Sequence, residues 1–346
     1  MRAQAGIGWP GRPYPVEIVL ADAELDLASG AAHVVAGRQG LLFAFPLGER
    51  ASWRLLATRP AGPEQLPFGQ PGPPVPAAEL QELIDRAGLG AQLSHVAWSA
   101  RVRVQHRVAE RFRQGRLFLA GDAAHAYSPA TGQGMNTAIQ DAANLGWKLA
   151  FASAQPASAA LLGSYEQERR PVARRVLALT HLAFWGEASA GHLPSLLRSL
   201  APLATPAVPA LTGRRRLIAA GYRRLSQLDV NHRSSPLWTE GKPGPRPWPR
   251  ARPRAGAGDR LPDMTVTCGG RCVRLHELLA RPGIHVLLER EADPPGPLGP
   301  MVVVHRLTSI PGRGLMAIRP DGHIGLRCPR AEAGPLLAWL ARARPL

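Results

Sequence analysis

The first hundred residues alternate short apolar runs with clusters of glycine and proline. The runs Val16–Leu20, Leu41–Phe45 and Trp53–Ala57 have the length and composition of β-strands. Apolar positions at helical spacing follow over Glu79–Ala87, so a short helix is predicted after these strands. This order predicts a mostly antiparallel sheet with one covering helix over residues 1–100.

Two aromatic residues stand out in the second of these strands. Phe43 and Phe45 are two positions apart, so both side chains face the same side of a strand. We expect two core phenylalanines, and direct contact with a bound substrate is the alternative.

Further along the chain, the sequence predicts a strand followed by a loop whose backbone a ligand can approach closely. Leu117–Ala120 is a short apolar run of the buried-strand type, and Asp122 follows at its carboxyl end, where open α/β sheets bind ligands. Pro129, Gly132 and Gly134 then bend the chain, and the two glycines let a ligand approach the backbone.

A helix is predicted to begin near Gln133. Its apolar residues at helical spacing are Met135, Ile139, Ala142, Ala143, Gly146 and Leu149. The first amide groups of a helix have no intrahelical acceptor, and the positive end of its dipole lies beside them. This helix terminus therefore favours a negatively charged or polarised group of a ligand.

The next section is predicted to be helical. A helix follows Ser164, supported by the i, i+4 pair of Glu166 and Arg170, and Pro171 is expected to end or kink it. The apolar-rich stretch to about residue 225 is also predicted to be helical. Its breaks are expected at Pro202, Pro206 and Pro209.

The last third of the chain begins with a predicted linker. Residues 239–260 are rich in proline, glycine and arginine, so they are expected to be extended and to bury little. Pro320, Asp321 and Gly322 predict a hairpin turn, and Ala331–Leu340 predicts a closing helix. The predicted strands are Met264–Thr267, His285–Leu288, Val302–His305, Leu315–Ile318 and Ile324–Leu326.

Composition and charge narrow the class of protein. The 346 residues are 45% hydrophobic, which is enough for two or three domains with their own cores. No stretch approaches the roughly 18 consecutive apolar residues of a membrane span, and the N-terminus has no apolar signal core. We therefore expect no membrane partner and a cytoplasmic location.

The formal charge of +17 is typical of nucleic-acid-binding proteins, but its distribution favours another origin. Lys148 and Lys242 are the only lysines, and the arginines are scattered among alanine, proline and glycine along the chain. We expect no nucleic-acid partner. A basic nucleic-acid-binding protein remains a weaker alternative.

Three cysteines, Cys268, Cys272 and Cys328, make a disulfide framework unlikely in a chain without a secretion signal. Cys268 and Cys272 flank a Gly-Gly turn, and no nearby histidine pair completes a zinc set. No metal site is predicted.

A motif is formed by the predicted strand, the acidic residue after it, the proline, the two glycines and the helix start. This motif resembles the second flavin-contact motif of the FAD-dependent aromatic hydroxylases, the class A flavoprotein monooxygenases. The resemblance implies that Asp122 binds the ribityl and pyrophosphate part of FAD. It also implies that the backbone from Gly132 to Asn136, with Pro129 before it, lies against the flavin ring. An ordinary strand-to-helix turn, with Asp122 as a cap and His125 as a surface histidine, is the alternative. The predicted cofactor-binding residues are Asp122, Pro129, Gly132, Gln133, Gly134, Met135 and Asn136, and no catalytic residue is identified.

The resemblance extends over most of the chain. Leu162–Ala173 and Asn231–Leu237 match later segments of the family. Arg260–Asp263 and Arg319–Gly325 resemble the thioredoxin-like terminal domain of its polyketide and phenol hydroxylase branch. The family's Gly-x-Gly-x-x-Gly segment for the FAD pyrophosphate has no counterpart after a strand here. The resemblance implies that Met1 lies inside the FAD-binding domain, so an N-terminally truncated product or a misplaced start codon is expected.

The expected fold class is α/β and α+β. It comprises an incomplete FAD-binding domain of the glutathione-reductase type with a mostly antiparallel substrate-domain sheet, plus a C-terminal thioredoxin-like domain. The expected sections are 1–100, the substrate-binding sheet; 101–190, the C-terminal part of the FAD-binding domain; 191–238, helices bordering the substrate entrance; 239–260, the linker; and 261–346, the thioredoxin-like domain.

The expected function is FAD-dependent hydroxylation of an aromatic substrate with NAD(P)H and oxygen, and a polyketide is one candidate for that substrate. Most of that chemistry belongs to the cofactor, while the protein positions the ring and excludes water. The alternative is a non-catalytic remnant or pseudoenzyme that acts as a binding or stabilising partner.

Overall fold

A computed structural model of the chain describes most of its residues. The described residues are 1–28, 30–37, 40–48, 52–62, 71–129, 132–154, 159–188, 196, 214–241 and 255–343. The chain forms two compact units. Unit 1 comprises Met1–Glu110, Gly121–Asn136 and Ala173–Ala220, and unit 2 comprises Arg111–Ala120, Thr137–Val172 and Gly221–Leu346.

Unit 1 is built on a six-stranded antiparallel sheet. Its strands are β1 (Gly11–Leu25), β2 (His33–Gly37), β3 (Gly40–Pro46), β4 (Trp53–Pro60), β5 (Leu93–Val108) and β8 (His125–Ala126), in the order β2-β3-β4-β1-β5-β8. Helix α1 (Ala77–Arg86) covers one face, where Leu80 and Ile84 pack with Val19, Ala21 and Trp53. The predicted sheet and its covering helix are therefore confirmed.

The opposite face of this sheet is less covered. Tyr14, Val16 and Ile18 form a small core there with Phe184. Beyond it, Phe43 and Phe45 stack with ring centroids 5.7 Å apart, and Phe45 is 40% exposed. The expectation of two core phenylalanines is wrong, because Phe43 is only half-buried and Phe45 is exposed.

Unit 2 contains a mixed seven-stranded sheet. Its strands are β9 (Thr239–Glu240), β10 (Thr265–Cys268), β11 (Arg271–Arg274), β12 (Ile284–Glu289), β13 (Val302–Leu307), β14 (Leu315–Ile318) and β15 (Ile324–Cys328), in the order β11-β10-β13-β12-β14-β15-β9. β12 pairs in parallel with β13, and β15 with β9, while the other neighbours are antiparallel. All five predicted strands lie in this sheet, and the predicted hairpin turn joins β14 to β15.

Among the described residues, unit 2 also contains three shorter helices and a short two-stranded β-ribbon. The two long helices of the chain are described below. Helix α4 (Arg215–Leu225) runs into unit 2 from unit 1, α5 (Leu275–Leu278) is a single turn, and α6 (Ala333–Ala343) closes the chain. Trp339 of α6 is fully buried against the sheet, and a Cβ at Gly325 would lie 2.0 Å from its ring. Glycine at position 325 is therefore required by close packing.

Two long helices carry the middle of the chain. α2 spans Gly134–Ala154 and α3 spans Ala159–Ala188. Pro171 lies inside α3, so it does not end the helix, and the other half of the expectation, a kink, stays a prediction. Tyr165, Val172 and Val176 on its two sides are all buried, and this packing holds the helix together although proline removes one amide donor.

Several predicted boundaries differ from the structure. The strand predicted at Leu117–Ala120 is only β7 (Leu117–Phe118), paired with β6 (Arg113–Gln114) in a two-stranded ribbon. β5 continues across residue 100 to Val108, so the boundary expected there falls within one strand.

Both ends of the expected linker belong to the folded part of unit 2. Thr239–Glu240 forms the edge strand of its sheet, and Ala257 is only 2% exposed. Residues 242–254 and the prolines at 202, 206 and 209 lie outside the described residues. Among the described helices, none is long and apolar enough to cross a membrane.

Candidate functional site

The segment from Gly121 to Asn136, which lies in unit 1, contains the predicted cofactor-binding residues. A 3-10 turn, Gly121–Ala123, leads into β8, and β8 pairs with the end of β5. The amide of Ala109 donates to the carbonyl of Ala124 at 2.7 Å, which fixes this turn against the sheet. Asp122 sits in the turn with its side chain exposed.

A tight turn precedes helix α2. The amide of Gly132 donates to the carbonyl of Pro129 at 2.9 Å, and Gly132 has a φ of 62°, which favours glycine. A Cβ built at Gly132 or at Gly134 would meet no atom within 4 Å. The backbone is therefore open to a ligand at both glycines, and α2 begins at Gly134, one residue from the predicted start.

The predicted residues of this segment differ in their exposure to solvent. Asp122, Pro129, Gly132, Met135 and Asn136 are exposed, and Met135 reaches 72%. Gln133 is only 1% exposed, so its side chain points into the protein while its backbone remains at the turn. The seven predicted residues thus all lie within Gly121–Asn136, and all of them are exposed except the buried Gln133 and the half-buried Gly134.

The positions of two residues next to this segment differ from the sequence prediction or were not predicted. His125, the possible surface histidine, is 1% exposed and stacks on Tyr127 with ring centroids 4.7 Å apart. Arg2 donates from Nη1 to the carbonyl of Ala123 at 2.9 Å, beside Asp122. Nothing in the sequence links Arg2 to this turn, because the two are 121 residues apart.

The open glycines and the helix start fit a flavin. The first amides of α2 lack intrahelical acceptors, and the helix dipole places partial positive charge at the same point. An electron-rich edge of a flat ring is stabilised by such donors, and no Cβ at residues 132 and 134 prevents its approach.

Unit 2 holds a buried charge network that sequence reasoning missed. Glu168 on α3 accepts hydrogen bonds from Arg319 at 2.7 and 2.8 Å and from Lys148 at 2.8 Å. Asn144 and the hydroxyl of Ser235 donate to the same carboxylate, at 2.6 and 2.5 Å. All five side chains are buried.

Burial and the neighbouring cations act in opposite directions in this network. Burial alone would raise the pKa of Glu168, but Arg319 and Lys148 hold it well below its usual value. Burial lowers the pKa of Lys148 to about 8, although Glu168 opposes this. The network is thus a balanced set of two carboxylates, including Asp321, and two cations that joins α2 and α3 to the β14–β15 hairpin.

His232, Asp321 and His323 lie at the edge of this network and offer ligand-type atoms within 4.8 Å of one another. The carboxylate of Asp321 is already paired with Arg319. A metal ion there would add uncompensated positive charge to a buried neutral cluster, which is unfavourable. The expectation of no metal site stays a prediction.

Comparison with known proteins is consistent with this geometry. Residues 71–180, which include the open turn, match the family described as FAD binding domain. A flavin-dependent monooxygenase of Mycobacteroides abscessus is 33% identical over 99% of this chain and 64% of its own length. The 6-methylpretetramide 4-monooxygenase of Streptomyces rimosus is 31% identical over 92% of this chain and 59% of its own.

A solved structure shows a similar fold. The OxyS anhydrotetracycline hydroxylase of Streptomyces rimosus superposes with a TM-score of 0.71 at 26% identity, over 100% of this chain and 67% of that one. The chain spans less than two thirds of the two curated relatives above. The chain therefore contains an FAD-binding segment, and along its length it is similar to FAD-dependent aromatic hydroxylases of the class A type.

Proposed function

We propose that this chain supplies the flavin-ring side and the substrate sheet of an FAD-dependent monooxygenase that hydroxylates an aromatic ring of the polyketide type. The observation that carries the proposal is the open backbone at Gly132 and Gly134, at the start of α2. The names of the relatives, which include tetracycline-type hydroxylases, support the substrate class.

In this proposal the residues have separate tasks. Asp122, exposed in its turn, meets the ribityl and pyrophosphate part of FAD, and the amides from Gly132 to Asn136 meet the ring. Pro129 accepts the hydrogen bond that shapes the turn. Bound FAD supplies electron transfer from NAD(P)H to oxygen and transfer of one oxygen atom to the ring. The amides of the first helical turn stabilise negative charge at the ring edge without rearrangement.

The sheet of unit 1 serves as the wall for the substrate. Its less covered face carries the stacked Phe43 and Phe45, which give a flat ring an apolar surface, and Trp98 lies on the same face beyond the Asp22–Arg54 ion pair. Such a surface orients the ring and keeps water away from it, which protects the oxidising step from wasteful decay.

The proposal also includes a thioredoxin-like C-terminal domain, NAD(P)H as the electron donor and the predicted division into sections. The C-terminal sheet, with one parallel pair at its centre and an antiparallel neighbour, supports a thioredoxin-like arrangement. NAD(P)H as the electron donor follows from the family, as does the five-section domain division, with β5 kept whole across residue 100.

Flavin binding tests the proposal directly. Gly134→Val adds a branched side chain where nothing else lies within 4 Å, so the fold is retained and the ring is obstructed. We expect the wild-type chain to quench the fluorescence of added FAD saturably, and Gly134→Val to weaken that binding at least tenfold, a loss of about 1.4 kcal/mol.

Gly146→Val is the matched control, since Gly146 lies on the same helix and is equally open. It should bind FAD as the wild type does. A wild-type chain that fails to quench FAD would favour the non-catalytic remnant, and equal binding by Gly134→Val would overturn the assignment of the turn.

A further inference from the structure

Two arginines meet at one tryptophan beside the proposed flavin segment. The guanidinium carbon of Arg2 lies 3.5 Å from the centre of the Trp9 ring, and that of Arg107 lies 5.5 Å from it. At both distances an aromatic ring attracts a guanidinium, so Trp9 helps to hold the two side chains in place. All three residues belong to unit 1.

Hydrogen bonds fix both arginines at this position. Arg2 donates from Nη1 to the carbonyl of Ala123 at 2.9 Å, within the flavin segment. Arg107 donates from Nη1 to the carbonyl of Trp9 at 2.9 Å and from Nε to the side-chain oxygen of Gln105 at 2.9 Å. Its backbone lies where β5 pairs with β8. A guanidinium has five N–H donors, so both side chains keep donors for a ligand.

The positive charge of this pair is not neutralised. In the part of the chain that the structure describes, neither Arg2 nor Arg107 forms an ion pair with a carboxylate, including those of Glu110 and Asp122. Burial and the neighbouring charge of Arg107 lower the pKa of Arg2, which still remains charged at pH 7. Two like charges held together produce a positive potential that a bound anion would relieve.

The charge of the pair indicates the kind of anion. A phosphate monoester carries nearly two negative charges at pH 7, because its second pKa is about 6. Each phosphate of a pyrophosphate bridge carries a single charge, so it would leave one guanidinium uncompensated. The planar fork of donors on an arginine also matches the geometry of phosphate oxygens. A phosphate monoester therefore fits two adjacent guanidiniums best.

We propose that Arg2 and Arg107 bind the 2′-phosphate of NADPH and so make NADPH, rather than NADH, the electron donor of this chain. This inference rests on the proposed function, which includes a nicotinamide donor without choosing between the two. NADPH and NADH differ only in this phosphate monoester. Because Arg2 is bonded to the turn that contains Asp122, a donor held here lies next to the segment proposed to contact FAD.

The oxidised donors test the assignment, because they bind without reducing a flavin. We expect the wild-type chain to bind NADP⁺ about tenfold more tightly than NAD⁺ in calorimetric titrations, a difference of about 1.4 kcal/mol. Arg107→Gln removes one of the two charges, so it should reduce this preference to about threefold and leave the affinity for NAD⁺ unchanged. Arg2→Gln should have the same effect, and the double variant should bind both donors equally.

Arg86→Gln is the matched control, because it removes the same charge from an exposed arginine that already pairs with Glu82. It should keep the full preference. A competition experiment identifies the source of the phosphate. Adenosine 2′-monophosphate should displace NADP⁺ from the wild type, whereas inorganic phosphate at the same concentration should not.

Three results would overturn the inference. They are a wild type that binds NADP⁺ and NAD⁺ equally or binds neither, an unchanged preference in both Arg2→Gln and Arg107→Gln, and equal displacement by inorganic phosphate. FAD quenching is measured without a nicotinamide donor, so a failure here with intact quenching is distinct from a failure of the proposed function.

Discussion

The two faces of helix α2 reverse the usual pattern of a surface helix. Its buried face carries Trp147 and Phe151 together with four polar or charged residues that are each no more than 2% exposed, Thr137, Asp141, Asn144 and Lys148. Its other face carries apolar residues, with Ile139 at 58% and Leu149 at 41% exposure. An ordinary amphipathic helix buries its apolar stripe and exposes its charges.

The difference teaches that polar and charged side chains of α2 can be buried when their hydrogen bonds are satisfied. Asp141 pairs with Arg169 at 2.7 Å, and Asn144 and Lys148 both donate to Glu168. Burial of a charge is costly unless it is paired and hydrogen-bonded, and the buried charges of α2 meet that condition. The apolar stripe has no comparable partner among the described residues.

The largest effect is expected from Glu168, the centre of the network. Glu168→Gln keeps the shape but removes the charge that compensates Lys148 and Arg319. Removal of one partner from a buried network leaves uncompensated charge, so we expect a loss of about 3–5 kcal/mol in the free energy of unfolding. Urea unfolding measures it.

Glu166→Gln is the matched control, two residues away on α3. Glu166 is only partly buried, and its carboxylate accepts hydrogen bonds from the backbone amides of Phe112 and Arg113. The side-chain oxygen of a glutamine can also accept these hydrogen bonds. Its loss should be about 1 kcal/mol. An equal urea midpoint for Glu168→Gln and the wild type would show that the network does not stabilise the buried face.

A smaller loss is expected at Asp141. Asp141→Asn weakens the pair with Arg169, but the amide oxygen still accepts, and Arg169 keeps its bond to the carbonyl of Thr137 at 3.3 Å. We expect a loss of about 2–3 kcal/mol, below that of a fully broken buried pair. The double variant Asp141→Leu with Arg169→Met should recover most of it in the same urea experiment, whereas a further loss would contradict a simple paired charge.

The sequence predicted what local chemistry determines. The start of α2, the Gly132 turn and the β14–β15 hairpin follow from glycine, proline and aspartate at fixed spacing. The periodicity of Ile139, Ala142, Ala143, Gly146 and Leu149 correctly indicated a helix. Periodicity defines a face but does not say which face points inward.

Long-range partners account for what could not be predicted. Glu168 and Arg319 are 151 residues apart, and Trp9 and Arg107 are 98 apart, so no spacing rule connects them. Only the fold shows that the polar face of α2 has partners, and only then does its burial become favourable. The same holds for Pro171, whose helix is maintained by packing that its local sequence does not reveal.

A pH effect is expected from His232, which lies 4.0 Å from Glu168. Burial, with the neighbouring His323, holds the pKa of His232 well below 6.5, although Glu168 opposes this. Below about pH 6.5 the unfolded chain binds a proton that folded His232 does not, so stability falls as the pH is lowered, by up to about 1.4 kcal/mol per unit. Above that pH this contribution is constant.

Urea midpoints at pH 7, 6 and 5 test this sign. His232→Phe removes the titrating group and should make the decline shallower, while His95→Gln, at an exposed position, should leave it as in the wild type. A decline of equal slope in His232→Phe and the wild type would assign the acid sensitivity to other groups.

The smallest effect is expected on the exposed face. Ile139→Lys replaces an apolar side chain that is already 58% exposed, so little buried area is lost, and lysine is a good helix former. We expect a change within about 0.5 kcal/mol in urea unfolding, and less aggregation because the exposed apolar stripe is interrupted. Phe151→Ala, on the buried side of the same helix, should lose about 3–5 kcal/mol. A loss at Ile139 comparable to that at Phe151 would mean that the apolar stripe is covered in solution, and the contrast between the two faces would then vanish.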